Sequence, residues 1–136
     1  MSSPRSRKAT QLGEYLRANA PDVKYVVPEL HHRPAQAISQ IQWACLGKDP
    51  AELTLVGSSL GGFYATVVAE KLGCKAVFLN PAVHPHRHFA RFLGVQKNLY
   101  TGETFELTAQ HVDELRALDV EAIRSEERRV GKECRL

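Results

Sequence analysis

Leu53-Thr54-Leu55-Val56-Gly57-Ser58-Ser59-Leu60-Gly61-Gly62-Phe63-Tyr64-Ala65-Thr66 decides the fold. Leu53 to Val56 is short, apolar and β-branched, which predicts a strand. From about Leu60 to Leu72 the pattern predicts a helix, and Gly73 stands where a helix C-cap glycine belongs. Between strand and helix lies Gly57-Ser58-Ser59-Leu60-Gly61, a G-x-S-x-G motif in the strand–turn–helix setting that its chemistry requires. A serine on so tight a turn is lifted above the carboxyl edge of the sheet. Gly57 and Gly61 carry no side chain, so strand and helix can approach closely, and Gly62 and Ala65 keep the helix near the sheet. The turn also aims the Leu60 backbone N–H, at a helix N-terminus, toward the point where an oxyanion would form. Ser59 is thus the candidate nucleophile, Leu60 the candidate oxyanion donor, and Gly57, Ser58, Gly61 and Gly62 the elbow around them. The competing readings are an ordinary Gly/Ser turn at a helix N-cap and a phosphate-binding turn. The chain contains neither G-x-x-x-x-G-K-[ST] nor G-x-G-x-x-G, which disfavours the latter.

Outward from this stretch, strands and helices alternate. Pro4 to Ala20 places Ala9, Leu12, Tyr15, Leu16 and Ala20 on one helical face, and Pro21-Asp22 ends it. Val23 to Val27 predicts a strand. Pro34 opens a helix with Ala37, Ile38, Ile41, Ala44 and Cys45 on one face and Trp43 packed at its edge. Ala76 to Leu79 predicts a third strand, closed by Asn80-Pro81. Beyond it, Arg87 to Leu93 reads as a short helix, Tyr100 to Leu107 as turn-rich, and His111 to Leu118 as a helix with His111 near its start. Alternation of this kind implies βαβ units, and right-handed crossovers place the strands side by side. The expected class is α/β, a parallel sheet with helices on both faces.

Composition agrees with a globular domain. The 136 residues are 43% hydrophobic and 24% charged, which excludes a disordered chain or a repeat fibre. No apolar run reaches the ~18 residues of a membrane span. The basic start, Met1 to Arg7, has no apolar region behind it, so a secretory signal is not expected and the cytoplasm is the default. Residues 124–136 hold five of the 18 basic and three of the 15 acidic residues, so most of the net charge of +3 resides there. That is weak evidence for nucleic acid, and no nucleic-acid partner is expected. Cys45, Cys74 and Cys134 are far apart and form no CxxC pair, so they read as reduced thiols.

Three segments together resemble the YqiA-type bacterial esterases, which are small α/β-hydrolases: Ser2-Ser3-Pro4-Arg5-Ser6-Arg7-Lys8-Ala9, Val56 to Thr66, and Asn80-Pro81-Ala82-Val83, with Leu99-Tyr100-Thr101-Gly102 fitting as well. The resemblance spans roughly residues 2–123. It implies hydrolysis of carboxylic esters or acyl thioesters, small-molecule substrates, by Ser59 with Leu60 as an oxyanion donor and with no cofactor. It also implies a partial α/β-hydrolase fold, missing its first strand and C-terminal strands, because the family's His-Gly strand precedes the Ser-Ser-Pro segment and its acid and histidine follow the equivalent of Ile123. The chain divides accordingly into residues 1–123, the partial domain, and 124–136, a basic tail expected to be non-native or disordered.

Such hydrolases order their triad Ser, then Asp or Glu, then His. After Ser59 come His84, His86, His88 and His111, while Asp113 and Asp119 lie later still. No Ser…Asp…His order is available; Glu70 lies within the elbow helix, and Glu103 and Glu106 are too near His111 for separate loops after separate strands, so the base and acid are expected outside this sequence. The 136-residue chain itself is then expected to be nearly inactive, and a catalytically dead or ligand-binding remnant is the alternative. His84-Pro85-His86-Arg87-His88 invites a metal reading, but Pro85 disfavours the strand that would align the imidazoles, and no clear carboxylate or thiol completes the set; no metal is expected. His31-His32 reads as loop. Arg5, Arg7 and Lys8 read as a solvated face, or as contacts for an anionic acyl carrier.

Overall fold

The structure is a computed structural model, and it describes residues 3–98 and 101–120. The tail over 124–136, Cys134 within it, and Leu99-Tyr100 lie outside the described residues.

The central unit follows from the deciding stretch. Strand β1 (Thr54–Ser59) runs directly into helix α3 (Leu60–Leu72), and Gly73 caps that helix in the left-handed conformation with φ +70. Strand β2 (Lys75–Pro81) returns parallel to β1, pairing Thr54 with Lys75 and Gly57 with Phe78. The register shifts between Ser58 and Ser59, so that Ser59 faces Pro81. The α3 helix covers one face of this pair. Its buried face, Phe63, Tyr64, Val67 and Val68, forms the core together with Ala37 and Ile38 of α2 (Pro34–Cys45) and Leu115 of α5 (Ala109–Leu118). Leu115 and Val68 are almost wholly enclosed, at 1% and 0% exposure. Burial on this scale contributes roughly 1.5–3 kcal/mol per large side chain.

Helix α1 (Arg7–Asn19) begins at Ser6, whose hydroxyl accepts the Ala9 N–H at 3.3 Å. Its inward residue is Gly13, because Tyr25 lies against it: a Cβ there would meet the Tyr25 ring at 2.9 Å. Tyr15, expected on that face, is 63% exposed. Two further expectations need correction. Val23 to Val27 forms no strand. Val23 and Val26 are exposed, and the segment is held by the Val23 N–H to Ala20 carbonyl bond and by Tyr25 Oη donating to the Ala9 carbonyl at 2.9 Å. A β-branched run reports fitness for a pleated, half-buried surface, and without a paired edge that fitness is not used. Trp43, expected at the edge of the α2 stripe, is 77% exposed. At five residues from Ile38 it stands some 140° around the helix from the core, by the 3.6-residue turn.

Downstream, helix α4 (Pro85–Phe89) is five residues long. Strands β3 (Gly94–Lys97) and β4 (Thr104–Leu107) then pair antiparallel, where a turn-rich segment was expected over Tyr100 to Leu107. The architecture is a partial α/β fold: a two-stranded parallel sheet flanked by helices, with a small separate hairpin. On the face of the sheet away from α3, Val56, Val77 and Leu79 are exposed. No helix among the described residues is long and apolar enough to cross a membrane.

Candidate active site

Every residue of the elbow comes together at the carboxyl edge of the sheet. Ser59 ends β1 and caps α3 with φ +53 and ψ −123, a conformation that L-residues rarely occupy. Its side chain makes no capping bond to the helix, and the residue is exposed. Strain at such a position is of order 1–3 kcal/mol and persists only where the surroundings over-determine it. Here they do. A Cβ on Gly57 would stand 2.2 Å from the Gly61 carbonyl oxygen, and one on Gly62 would stand 2.7 Å from Pro81 Cβ. The strand end, the first turn of α3 and the end of β2 are therefore locked together. The Ala82 N–H donates to the Ser59 carbonyl at 2.9 Å and closes the lock. Leu60 is the first residue of α3, where an N–H has no partner within the helix.

Lys8, near the start of α1, donates from Nζ to Ser58 Oγ at 3.2 Å. An ammonium thus sits beside the residue that precedes Ser59. The sequence reading left Lys8 on a solvated face or at an anionic carrier, and its contact with the elbow depends on a chain reversal that no local pattern shows.

A second cluster lies just past the end of β2 in the chain. His84 follows β2 by three residues and adopts φ +46. Its Nδ1 lies 2.6 Å from Oδ2 of Asp119, the C-cap of α5. His86 Nδ1 lies 3.5 Å from the same oxygen and is buried without a hydrogen bond. His84 and Asp119 are 35 apart in the chain, and the carboxylate comes after the histidine. Among the described residues no group of three or more His, Cys, Asp or Glu side chains has the arrangement of a metal site.

His111 and His32 are structural in their contacts. His111, at the third position of α5, completes a capping box: its Nδ1 accepts the Thr108 N–H at 3.1 Å. That acceptance leaves the proton on Nε2, which meets His32 Nδ1 at 2.9 Å. Burial lowers the pKa of His111, and burial followed by the neighbouring His31 and His111, beside which a second positive charge is disfavoured, lowers that of His32. Both shifts favour the neutral ring, and His32 stacks on Phe105 with ring centroids 5.0 Å apart. Next to them Arg33 is paired with Glu114, which also accepts the Ala35 N–H at 3.1 Å. Burial works to raise the Glu114 carboxyl, but the bonds from Arg33 and Ala35 outweigh it and hold it below the usual range.

With this geometry in view the comparison with known families is direct. The family model described as the uncharacterised protein family UPF0227 matches residues 1–130. The chain belongs to that family. UPF0227 is the esterase-like YqiA type that the Ser-Ser-Pro, elbow and Asn-Pro-Ala-Val segments resemble, and its match takes in the elbow, β1, β2 and the five α-helices of the described residues.

Proposed function

We propose that this UPF0227 protein is a serine hydrolase that cleaves carboxylic esters or acyl thioesters, with residues 1–123 forming the α/β-hydrolase portion. The observation that carries the reading is the positive φ of Ser59 at a strand–helix junction closed by two glycines that no other residue could replace without displacement. Such a backbone holds a hydroxyl outward at the edge of the sheet, beside the N-terminal end of α3. Ser59 Oγ attacks the carbonyl carbon, and its proton passes to a base. The carbonyl oxygen gains the negative charge, which the Leu60 N–H stabilises. The leaving alcohol or thiol departs with a proton, and water then hydrolyses the acyl-enzyme by the reverse proton path. One oxyanion donor is worth roughly 10²–10³ in kcat.

Hydrolysis of a panel of p-nitrophenyl esters and acyl-coenzyme A thioesters by the wild-type and Ser59→Ala proteins tests this. Turnover that disappears in Ser59→Ala, with the melting temperature kept, supports the reading. Turnover equal in both proteins would sink it and leave the fold as a non-catalytic binding scaffold.

A further inference from the structure

We infer that Lys8 selects substrates that carry an anionic group, a carboxylate or a phosphate, within a few bonds of the scissile carbonyl. The inference rests on the serine-hydrolase reading and narrows the substrate class of that same site.

Three observations carry it. First, placement: Lys8 Nζ donates to Ser58 Oγ at 3.2 Å, and Ser58 directly precedes the exposed Ser59. Successive Cα atoms are about 3.8 Å apart, so the ammonium lies within about 10 Å of the Ser59 Cα. A Cβ on Gly57 would meet the first turn of α3, and strand alternation turns Ser58 the other way. The ammonium therefore stands on the side of the elbow that α3 leaves open. Second, charge: among the described residues none of Arg5, Arg7 and Lys8 enters an ion pair. Glu114 is paired with Arg33, Asp113 with Arg116, and Asp119 with His84 and His86. The first turn of α1 holds no acidic residue. An ammonium has three donor hydrogens, and the neutral Ser58 hydroxyl takes one, so two remain for an incoming anion. Third, preorganisation: Ser3, 6% exposed, accepts the Arg5 N–H on Oγ at 3.2 Å and the Ser6 N–H on its carbonyl at 2.8 Å. Ser6 in turn caps α1 through the Ala9 N–H. The backbone that carries Lys8 is thus fixed before substrate arrives, and less ordering is left to oppose binding.

The role is recognition. Lys8 forms no covalent bond and takes no proton from Ser59; its charge favours a substrate whose anion comes to rest beside Ser58 while the carbonyl meets Ser59. Only an anion close to the reacting carbonyl can satisfy both contacts, because the two residues are adjacent in the chain. Lys8 is exposed, so solvent screens the attraction and the preference it gives is roughly 3- to 30-fold. Salt weakens it further, since the screening length falls from about 8 Å at physiological ionic strength to about 3 Å at 1 M.

Two matched pairs of esters test this. Mono-p-nitrophenyl adipate and its methyl ester share one acyl chain and differ by a charge on it. The para-acetoxyphenyl phosphate and para-acetoxyanisole pair places the charge on the leaving group instead. Release of p-nitrophenol or of acid is measured for the wild-type, Lys8→Met and Lys8→Arg proteins, each with a circular-dichroism melt. The quantity read is the ratio of kcat/KM, anionic member over neutral member. That ratio should fall roughly 3- to 30-fold in Lys8→Met for at least one pair, and Lys8→Arg should keep it. It should also shrink in the wild-type protein at about 1 M NaCl, which reads the same attraction without any substitution. A fall in the adipate pair places the anion on the acyl chain, and a fall in the phosphate pair places it on the leaving group. Ratios that Lys8→Met leaves unchanged in both pairs, or a loss shared equally by charged and neutral members, would overturn the proposal and leave Ser59-dependent hydrolysis standing. A folded wild-type protein with no Ser59-dependent hydrolysis of any of these esters would overturn both readings together.

Discussion

Gly57→Ala tests the elbow where its packing is tightest. The new Cβ would stand 2.2 Å from the Gly61 carbonyl oxygen, 2.6 Å from its carbon and 2.7 Å from Gly62 Cα. All three are backbone atoms in the first turn of α3, so no side chain can swing aside, and strand and helix must part by about 1 Å. Overpacking costs typically 1–3 kcal/mol, and an overlap with rigid backbone belongs at or above the upper end. About 3 kcal/mol in a chain of this size lowers the melting temperature by on the order of 10 °C. The same shift moves Ser59 relative to the Leu60 N–H, and a displacement of about 1 Å costs roughly 10² in rate. Gly47→Ala is the matched control. Its φ is +74, but nothing lies within 4 Å of the added Cβ. It therefore carries only the left-handed penalty of roughly 1–2 kcal/mol and leaves turnover unchanged. Thermal unfolding by circular dichroism, with esterase turnover measured on the same samples, reads both effects. A Gly57→Ala protein at least as stable as Gly47→Ala, with full turnover, would refute the close-approach reasoning.

Other expectations follow from the core and from the histidine pair. Burial lowers the pKa of both His32 and His111 below the free value, so the unfolded chain binds more protons below about pH 6.5. Stability from these groups is therefore full above the unfolded histidine value of about 6.5 and falls as the pH drops below it, and a further loss begins below about pH 4.5 as Glu114 is protonated. Melting temperatures from pH 8 to 4 should show both steps, and the double variant His32→Gln, His111→Gln should flatten the first. Leu115→Ala, at the centre of the three-helix contact and 1% exposed, should cost about 2–5 kcal/mol in urea unfolding. Trp43→Ser should change stability by no more than about 0.5 kcal/mol, since the indole is 77% exposed.

Local signals were legible where one short stretch contains its own instruction. Helix α3 begins and ends where Leu60 and Gly73 predict, and Pro34 opens α2 as expected. The elbow was readable for the same reason, because strand, two glycines and helix are contiguous. Pairing between distant segments was not. Val23 to Val27 has strand composition but no partner edge, and the β3–β4 pairing joins Val95 to Glu106 across a segment whose turn residues dominated the reading. The His84–Asp119 contact spans 35 residues, and no local pattern shows it. Lys8 reaches Ser58 over 50 residues, and His32 reaches His111 over 79. Each depends on tertiary placement that periodicity does not encode.

The most direct measurement is covalent. A fluorophosphonate reacts with an activated serine and leaves a stable phosphonyl ester. Intact-mass spectrometry of the treated protein, followed by peptide mapping, should show a single adduct on Ser59, with none on the adjacent Ser58 and none in Ser59→Ala. An unmodified protein, or an adduct on Ser58 that survives Ser59→Ala, would contradict the assignment of Ser59 as the nucleophile.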